Sequence, residues 1–192
     1  MIDDLGLLAA RLALGLSYAS HGAQKAFGWF DGPGPQGAAG FLESLGFKPG
    51  ATYAALASYG EITAGLAIAV GAGGPIGPAM VLANMLVAQT SVHAKNGFYA
   101  GKNGIEVGLL YATGALALAS SGYGALSLDR ALGVHDKLAH PLLKTLAIAG
   151  ALAGGFAALG QRKTGPPPGT LAEPTIKGER NGQASPQAAP AS

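Results

Sequence analysis

An all-α integral membrane protein, a four-helix bundle with a fifth transmembrane helix, is the fold class this sequence predicts, and three observations predict it. Only 11% of its 192 residues are charged while 49% are hydrophobic, under half the ~25% charged share of an ordinary soluble domain. Apolar runs of about 20 residues recur along the chain, long enough to cross a ~30 Å hydrocarbon core. Glycine, at 32 residues, fills these runs together with alanine, which suits close helix packing in lipid better than an aqueous core of large side chains. No run alternates polar and apolar residues in the manner of a barrel strand.

Composition also removes several function classes. A net charge of +2, with no basic stripe interleaved with aromatics, argues against nucleic-acid binding. Zero cysteines exclude disulfides, thiolate nucleophiles, iron–sulfur clusters, Cys-ligated zinc and covalently attached haem. Met1-Ile2-Asp3-Asp4 offers no basic start, so a cleaved signal peptide is not expected.

The first span is expected over residues 5–26, with Arg11 its only charge before Lys25; Arg11 lies near the start, where its stem can snorkel to the headgroups. It exits into His21-Gly22-Ala23-Gln24-Lys25, an aromatic pair Trp29-Phe30, and a Gly/Pro turn. Residues 35–47 then place Ala38, Phe41, Leu42 and Leu45 at the i, i+3, i+4, i+7 spacing of an amphipathic helix lying across the exit. Span two is expected over 51–70, with Glu61 its one charge. The turn Gly71-Ala72-Gly73-Gly74-Pro75 breaks the helix, and span three follows over 75–93. No formal charge stands between Glu61 and Lys95, so spans two and three read as a membrane hairpin. After a polar loop, span four is expected over 104–121, beginning beside Glu106. A fifth apolar segment, 141–160, contains Gly150-x-x-x-Gly154, and Gly104-x-x-x-Gly108 repeats that spacing; GxxxG lets helix backbones approach closely. From residue 161 the chain turns rich in Pro, Gln, Ser and Ala, the composition of a disordered tail. The expected divisions are therefore 1–133 for the bundle, 134–160 for an interfacial segment with the fifth helix, and 161–192 for the tail.

Alternation of helix direction puts the ends of spans one and three on the same side as the starts of spans two and four. His21, Lys25, Glu61, His93 and Glu106 thereby gather toward one leaflet as a candidate catalytic pocket. Ser17, Gln24, Asn84 and Gln89, on the same helices, are candidate substrate-binding groups, because polar side chains in lipid turn toward the bundle interior. Trp29, Phe30, Phe41 and Phe47 are expected to form an interfacial lid. The other end of the bundle is expected to hold little polar beyond Arg11. Blander readings stand beside these: Lys25 and Glu106 fit snorkelling, His21 fits a satisfied interhelical hydrogen bond, and Trp29 and Phe30 fit belt anchors.

The run His21-Gly22-x-Gln24-Lys25-x-Phe27-Gly28-Trp29-Phe30, then Gly32-x-Gly34-x-x-Gly37, then Phe41-x-Glu43-x-Leu45-Gly46-Phe47, resembles the DoxX family of small bacterial and archaeal membrane proteins. Glu61, His93-x-x-x-Gly97-Phe98, Glu106 and Gly122-x-Gly124-x-x-Ser127-Leu128-Asp129 extend the resemblance to residues 5–133. It implies a four-helix membrane bundle and an association with redox chemistry, since relatives resemble a subunit of a thiosulfate:quinone oxidoreductase and others are linked to oxidative-stress complexes.

Several functions follow as expectations: an oxidoreductase subunit that takes a quinone in the pocket, a non-catalytic anchor for a soluble redox or stress-response partner, or a small-solute or proton pathway. Whether the chain is itself an enzyme stays open. A bis-histidine haem between His21 and His93 is the weakest alternative, and no metal site is expected. The expected surroundings are the bilayer of the inner (plasma) membrane, with room for a soluble redox partner and for self-association. Lys25, Lys48, Lys95, Lys102, Arg162 and Lys163 on the pocket side favour a cytoplasmic orientation for that side.

Overall fold

The computed structural model describes residues 2–163; the expected tail, apart from its first three residues, lies outside them. The described regular elements are all helical. They are α1 Ile2–Phe27, α2 Gly34–Ser44, α3 Gly50–Val70, α4 Ile76–Ala88, α5 Glu106–Ser121, α6 Leu128–Ala131, α7 His135–Leu138 and α8 Pro141–Gly160. α4 runs on into a π-helical turn, Gln89–His93, and short 3₁₀ turns at Ala94–Asn96 and Ala100–Lys102 lead to α5.

Local chemistry accounts for the ends. Asp3 and Asp4 open α1 and Lys25 closes it, each placed favourably for the helix dipole. α3 stops at Gly71, whose φ of 73° is the left-handed conformation that glycine adopts without steric cost. Proline opens α8, with the His140 side chain accepting from the Leu142 N–H, a position where the missing proline N–H costs nothing.

α1 and α3 are the most intimate pair. They run antiparallel, and a Cβ on Gly15 or Gly22 would collide with the α3 backbone at Gly65 or Ser58. α3 turns back into α4, α4 packs on α5, and α1 meets α5 sparsely, so the four helices follow one another around a common core. That core is Tyr18, Ala64, Ile68, Val81, Ala115, Leu118 and Tyr123. α8 lies along α4, with Gly155 close to Ala83 and Leu86. α2 crosses the start of α3, bringing Ala39 against Gly50. Large apolar residues face outward on several helices, among them Leu16, Leu56, Leu66, Leu110, Leu146 and Phe156.

α3 and α8 are the two described helices long and apolar enough, by length and composition, to cross a membrane. α5 begins at Glu106 rather than 104 because Gly104 and Ile105 bond back to the preceding loop, through Gly104 N–H to Tyr99 O (3.0 Å) and Ile105 N–H to Gly97 O (3.0 Å). Its 16 residues measure about 24 Å at 1.5 Å per residue.

Other expectations are corrected. Arg11 does not snorkel: it is 1% exposed, because three carbonyls at its end of the bundle supply it with acceptors. Gly150 and Gly154 meet nothing within 4 Å; the glycine that lets α8 approach α4 is Gly155, on a different face. Phe41 points outward at 52% exposure while Ala38 and Phe47 are buried, since α2 meets α3 through its small residues. The first residues of the expected tail are tied down. Tyr53 Oη donates to Gln161 Oε1 (2.7 Å), Arg162 Nε to Leu45 O (3.0 Å), and the Lys163 N–H to Gly46 O (2.9 Å).

Candidate functional site

Glu61 sits in the middle of α3 and is 4% exposed. The antiparallel packing of α1 on α3 brings Lys25 within reach, and its Nζ donates to Glu61 Oε2. The hairpin into α4 brings Asn84 opposite. Its amide donates both hydrogens, one to Glu61 Oε1 (2.7 Å) and one to Tyr18 Oη (2.9 Å). Each oxygen of a buried carboxylate is thus satisfied, one by a cation and one by an amide. A lone buried carboxylate would neutralise instead.

From Tyr18 the arrangement continues toward α5. The Tyr18 and Tyr111 rings are 5.2 Å apart. Tyr111 Oη donates to Ser17 Oγ (3.1 Å), and the His21 ring stands edge-on to Tyr111 at 5.9 Å. His21 and Ser17 are exposed, in the seam where α1 and α5 touch sparsely. The result is an inner charged pair and an outer polar seam, with two tyrosines between them. His21 also contacts Gln24, Nδ1 to Oε1 at 3.3 Å, and Gln24 Nε2 donates to Phe30 O (3.3 Å). Gln24 therefore holds the turn after α1.

His93 and Glu106 are not brought to Glu61. His93 Nδ1 is 2.9 Å from Asn103 O, and Glu106 Oε2 accepts from the Ala100 N–H (2.7 Å). Both fasten the connection between the π turn and α5. His21 and His93 thus have different partners on different elements. Gln89 Nε2 donates to Ile105 O (3.0 Å), while its Oε1 and the Ser91 Oγ are buried without partners. Among the described residues no group of three or more His, Asp or Glu side chains is arranged to hold a metal ion.

The expected lid divides. Trp29 and Phe30 are 59% and 68% exposed; the Trp29 ring lies 5.2 Å from Phe27 and meets Phe30 edge-on at 6.4 Å. Phe47 is instead buried under Arg162, whose guanidinium lies 5.4 Å from its ring. Trp29, Phe30 and Phe41 are exposed aromatics, and Phe47 is an anchor for the chain after α8.

The opposite end holds a second polar cluster, where little was expected. Arg11 donates to the carbonyls of Tyr123, Leu126 (2.8 Å) and Ala69 (3.3 Å), with its guanidinium 5.7 Å from the Tyr123 ring. Asp129 accepts from the Gly73 N–H (2.8 Å) and the Gly74 N–H (2.7 Å), closing the α3–α4 turn. Ser127 caps α6 through the Arg130 N–H. Burial pushes the Tyr123 hydroxyl above its usual range, and nearby Asp129 adds to that. Asp4 accepts from the Ala125 N–H (2.9 Å), which holds its carboxyl below the usual range. Gly122-x-Gly124-x-x-Ser127-Leu128-Asp129 carried the signal for this clamp. Its glycines, at φ 77° and 75°, make the turn whose carbonyls Arg11 collects. Tyr18 and Tyr111 were also missed as site residues, since an aromatic inside an apolar run reads as core.

A family model described as DoxX matches residues 6–94, which covers α1 to α4 and the π turn. No curated protein and no solved structure matches the chain.

Proposed function

We propose that the chain, whose residues 6–94 match the DoxX family model, is a DoxX-family, multi-pass protein of the inner membrane whose buried polar network acts on a quinone. α1, α3, α4 and α5 would form a four-helix bundle across the bilayer, with α8 as a fifth span. The outward apolar residues of α1, α3, α5 and α8 support this, because a large exposed apolar surface needs a partner and lipid is a fitting one.

The observation that carries the quinone reading is the chain of contacts from Lys25 and Glu61, through Asn84 and Tyr18, to Tyr111 and His21. A charged pair inside an apolar bundle is costly and marks a functional site by default. Reducing a quinone to a quinol takes two electrons and two protons. Tyr111 and His21 offer hydrogen-bonding groups to the two carbonyl oxygens of a head group that enters sideways between α1 and α5, leaving its apolar tail in lipid. Lys25 and Glu61 are the exchangeable acid and base behind them. The chain has no cysteine thiol of its own to carry electrons, and a soluble redox partner would supply them. The exposed aromatics Trp29, Phe30 and Phe41 are the surface on which such a partner would dock.

The same aromatic surface favours a second reading, in which the chain is a non-catalytic anchor for that partner; a third, a proton or small-solute pathway, would use Glu61 alone. Purification of wild type and Glu61→Gln from native membranes, followed by solvent extraction and identification of co-purifying proteins, separates the first two, and flux in liposomes separates the third. The quinone reading expects stoichiometric quinone with wild type and quinone-dependent turnover that fails in Glu61→Gln. A folded Glu61→Gln protein with full quinone-dependent turnover would overturn it. Loss of a co-purifying protein on changing Trp29 and Phe30, with Glu61→Gln silent, would favour the anchor.

A further inference from the structure

Between the first turns of α3 and the last turns of α8 lies an open groove of about 450 Å³, within the size range of small-molecule sites. It is lined by the apolar Leu56, Ala157 and Ala158 and by the polar Lys48, Tyr53 and Gln161. The Tyr53–Gln161 hydrogen bond (2.7 Å) ties the two walls together. The groove opens at the end of the molecule where α1 finishes and α3 begins, the same end as Lys25. α8 forms one entire wall, and α8 lies beyond the residues that the family model matches.

The rim is cationic. Lys48 lines the groove, and directly after Gln161 the chain is held beside it, Arg162 by Leu45 O and the Phe47 ring and Lys163 by its backbone bond to Gly46. The side chains of Lys48 and Lys163 have no hydrogen-bond or ion-pair partner among the described residues. Glu43, whose Cβ lies near Gly50, is the carboxylate at this corner, so three cations stand against one anion. An apolar trough that ends in uncompensated positive charge at headgroup level has the polarity of an anionic phospholipid: acyl chain below, phosphate above.

The geometry points to this groove as a binding site for one anionic phospholipid, with an acyl chain along Leu56, Ala157 and Ala158 and the phosphate between Lys48 and Lys163. The inference rests on the membrane reading above and is independent of the quinone. It also gives α8 a role, since a four-helix bundle alone would lack this lipid site.

The test uses the full chain in bilayer discs of equal parts phosphatidylglycerol and phosphatidylcholine. One sample carries a photoreactive side chain at Ala157, in the groove. Another carries it at Leu146, which is 60% exposed on α8. At Ala157 the expected adducts favour phosphatidylglycerol by about fivefold for each cation engaged. Lys48→Gln with Lys163→Gln should return that ratio to one, and Leu146 should label both lipids equally. Adducts at Ala157 in the bulk lipid ratio would overturn the site. Crosslinks from Ala157 to residues 164–192, or to a second copy, would overturn it too, by naming a different occupant. If neither position labels any lipid, the membrane reading itself fails. If Leu146 labels lipid and Ala157 does not, the groove proposal alone fails. Free phosphate at 50-fold excess over lipid that abolishes the Ala157 preference would make the site one for a phosphate anion and overturn the lipid assignment.

Discussion

Removing the charge from Glu61 with the near-isosteric Glu61→Gln leaves Lys25 facing an amide inside the bundle. Breaking one partner of a fully buried pair costs about 3–5 kcal/mol. Here the Glu61 side chain is 6% exposed but that of Lys25 is 28% exposed. Lys25 is also two residues from the end of α1, so it can swing toward water. The expected cost is therefore smaller, about 2–3 kcal/mol, after discounting the figure for full burial. At about 2–4 °C per kcal/mol for a chain of this size, thermal unfolding in detergent should shift down by roughly 5–10 °C. Lys25→Met alone should cost a similar amount, because it strands the carboxylate. The decisive number is the double variant: with neither charge present it should be more stable than the sum of the singles by about 1–3 kcal/mol. Additivity within ~0.5 kcal/mol would mean that Lys25 and Glu61 do not interact, and the site reading would lose its basis.

Other outcomes follow from the same geometry. Arg11→Lys cannot reproduce the guanidinium fork to Tyr123, Leu126 and Ala69 and should cost about 2–4 kcal/mol in a chemical denaturation series. Gly15→Ala would drive a methyl into the Gly65 backbone; it should lower the yield of folded protein on size-exclusion chromatography, whereas Gly150→Ala, in open space, should leave it unchanged. Asp129→Asn retains one acceptor for Gly73 or Gly74 but loses the charge, so it should destabilise by about 1–2 kcal/mol by the same denaturation assay. Asp4 has a folded pKa below its ordinary value because of the Ala125 N–H. Its contribution is present above the unfolded value and disappears as pH falls through the folded one. Asp4→Asn should therefore lower the melting temperature at pH 7 and make no difference at a pH below the folded value.

Helix periodicity, turn signals and charge scarcity made the helical elements readable, because each of those is a local property of the chain. The Gly71–Pro75 turn and the existence of α2, though not the face it packs with, are examples. So was the meeting of Lys25 with Glu61, since helix alternation alone puts them at one end. His93 and Glu106 look equivalent to them in sequence, yet they close the 94–105 connection; which way a side chain turns at a helix end depends on the carbonyls and N–H groups that the loop presents. Arg11 was misread for the same reason: a cation near a helix start snorkels unless a neighbouring turn offers it carbonyls, and that turn lies more than 110 residues away. Tyr18 and Tyr111 were hidden because an apolar run absorbs an aromatic without comment until its hydroxyl finds a partner. The groove under α8 could not be anticipated at all, since it exists only between elements about 100 residues apart in sequence.

The most direct test of the central claim is an equilibrium titration of a short-chain quinone into the full chain in bilayer discs, followed by quenching of Trp29, the single tryptophan. The quinone reading predicts saturable binding of one quinone per chain, weakened about tenfold in Tyr111→Phe and in His21→Ala, for a hydrogen bond worth about 1.4 kcal/mol each. Quenching that rises linearly with quinone and is identical in all three proteins would be simple partition into lipid, and would contradict it.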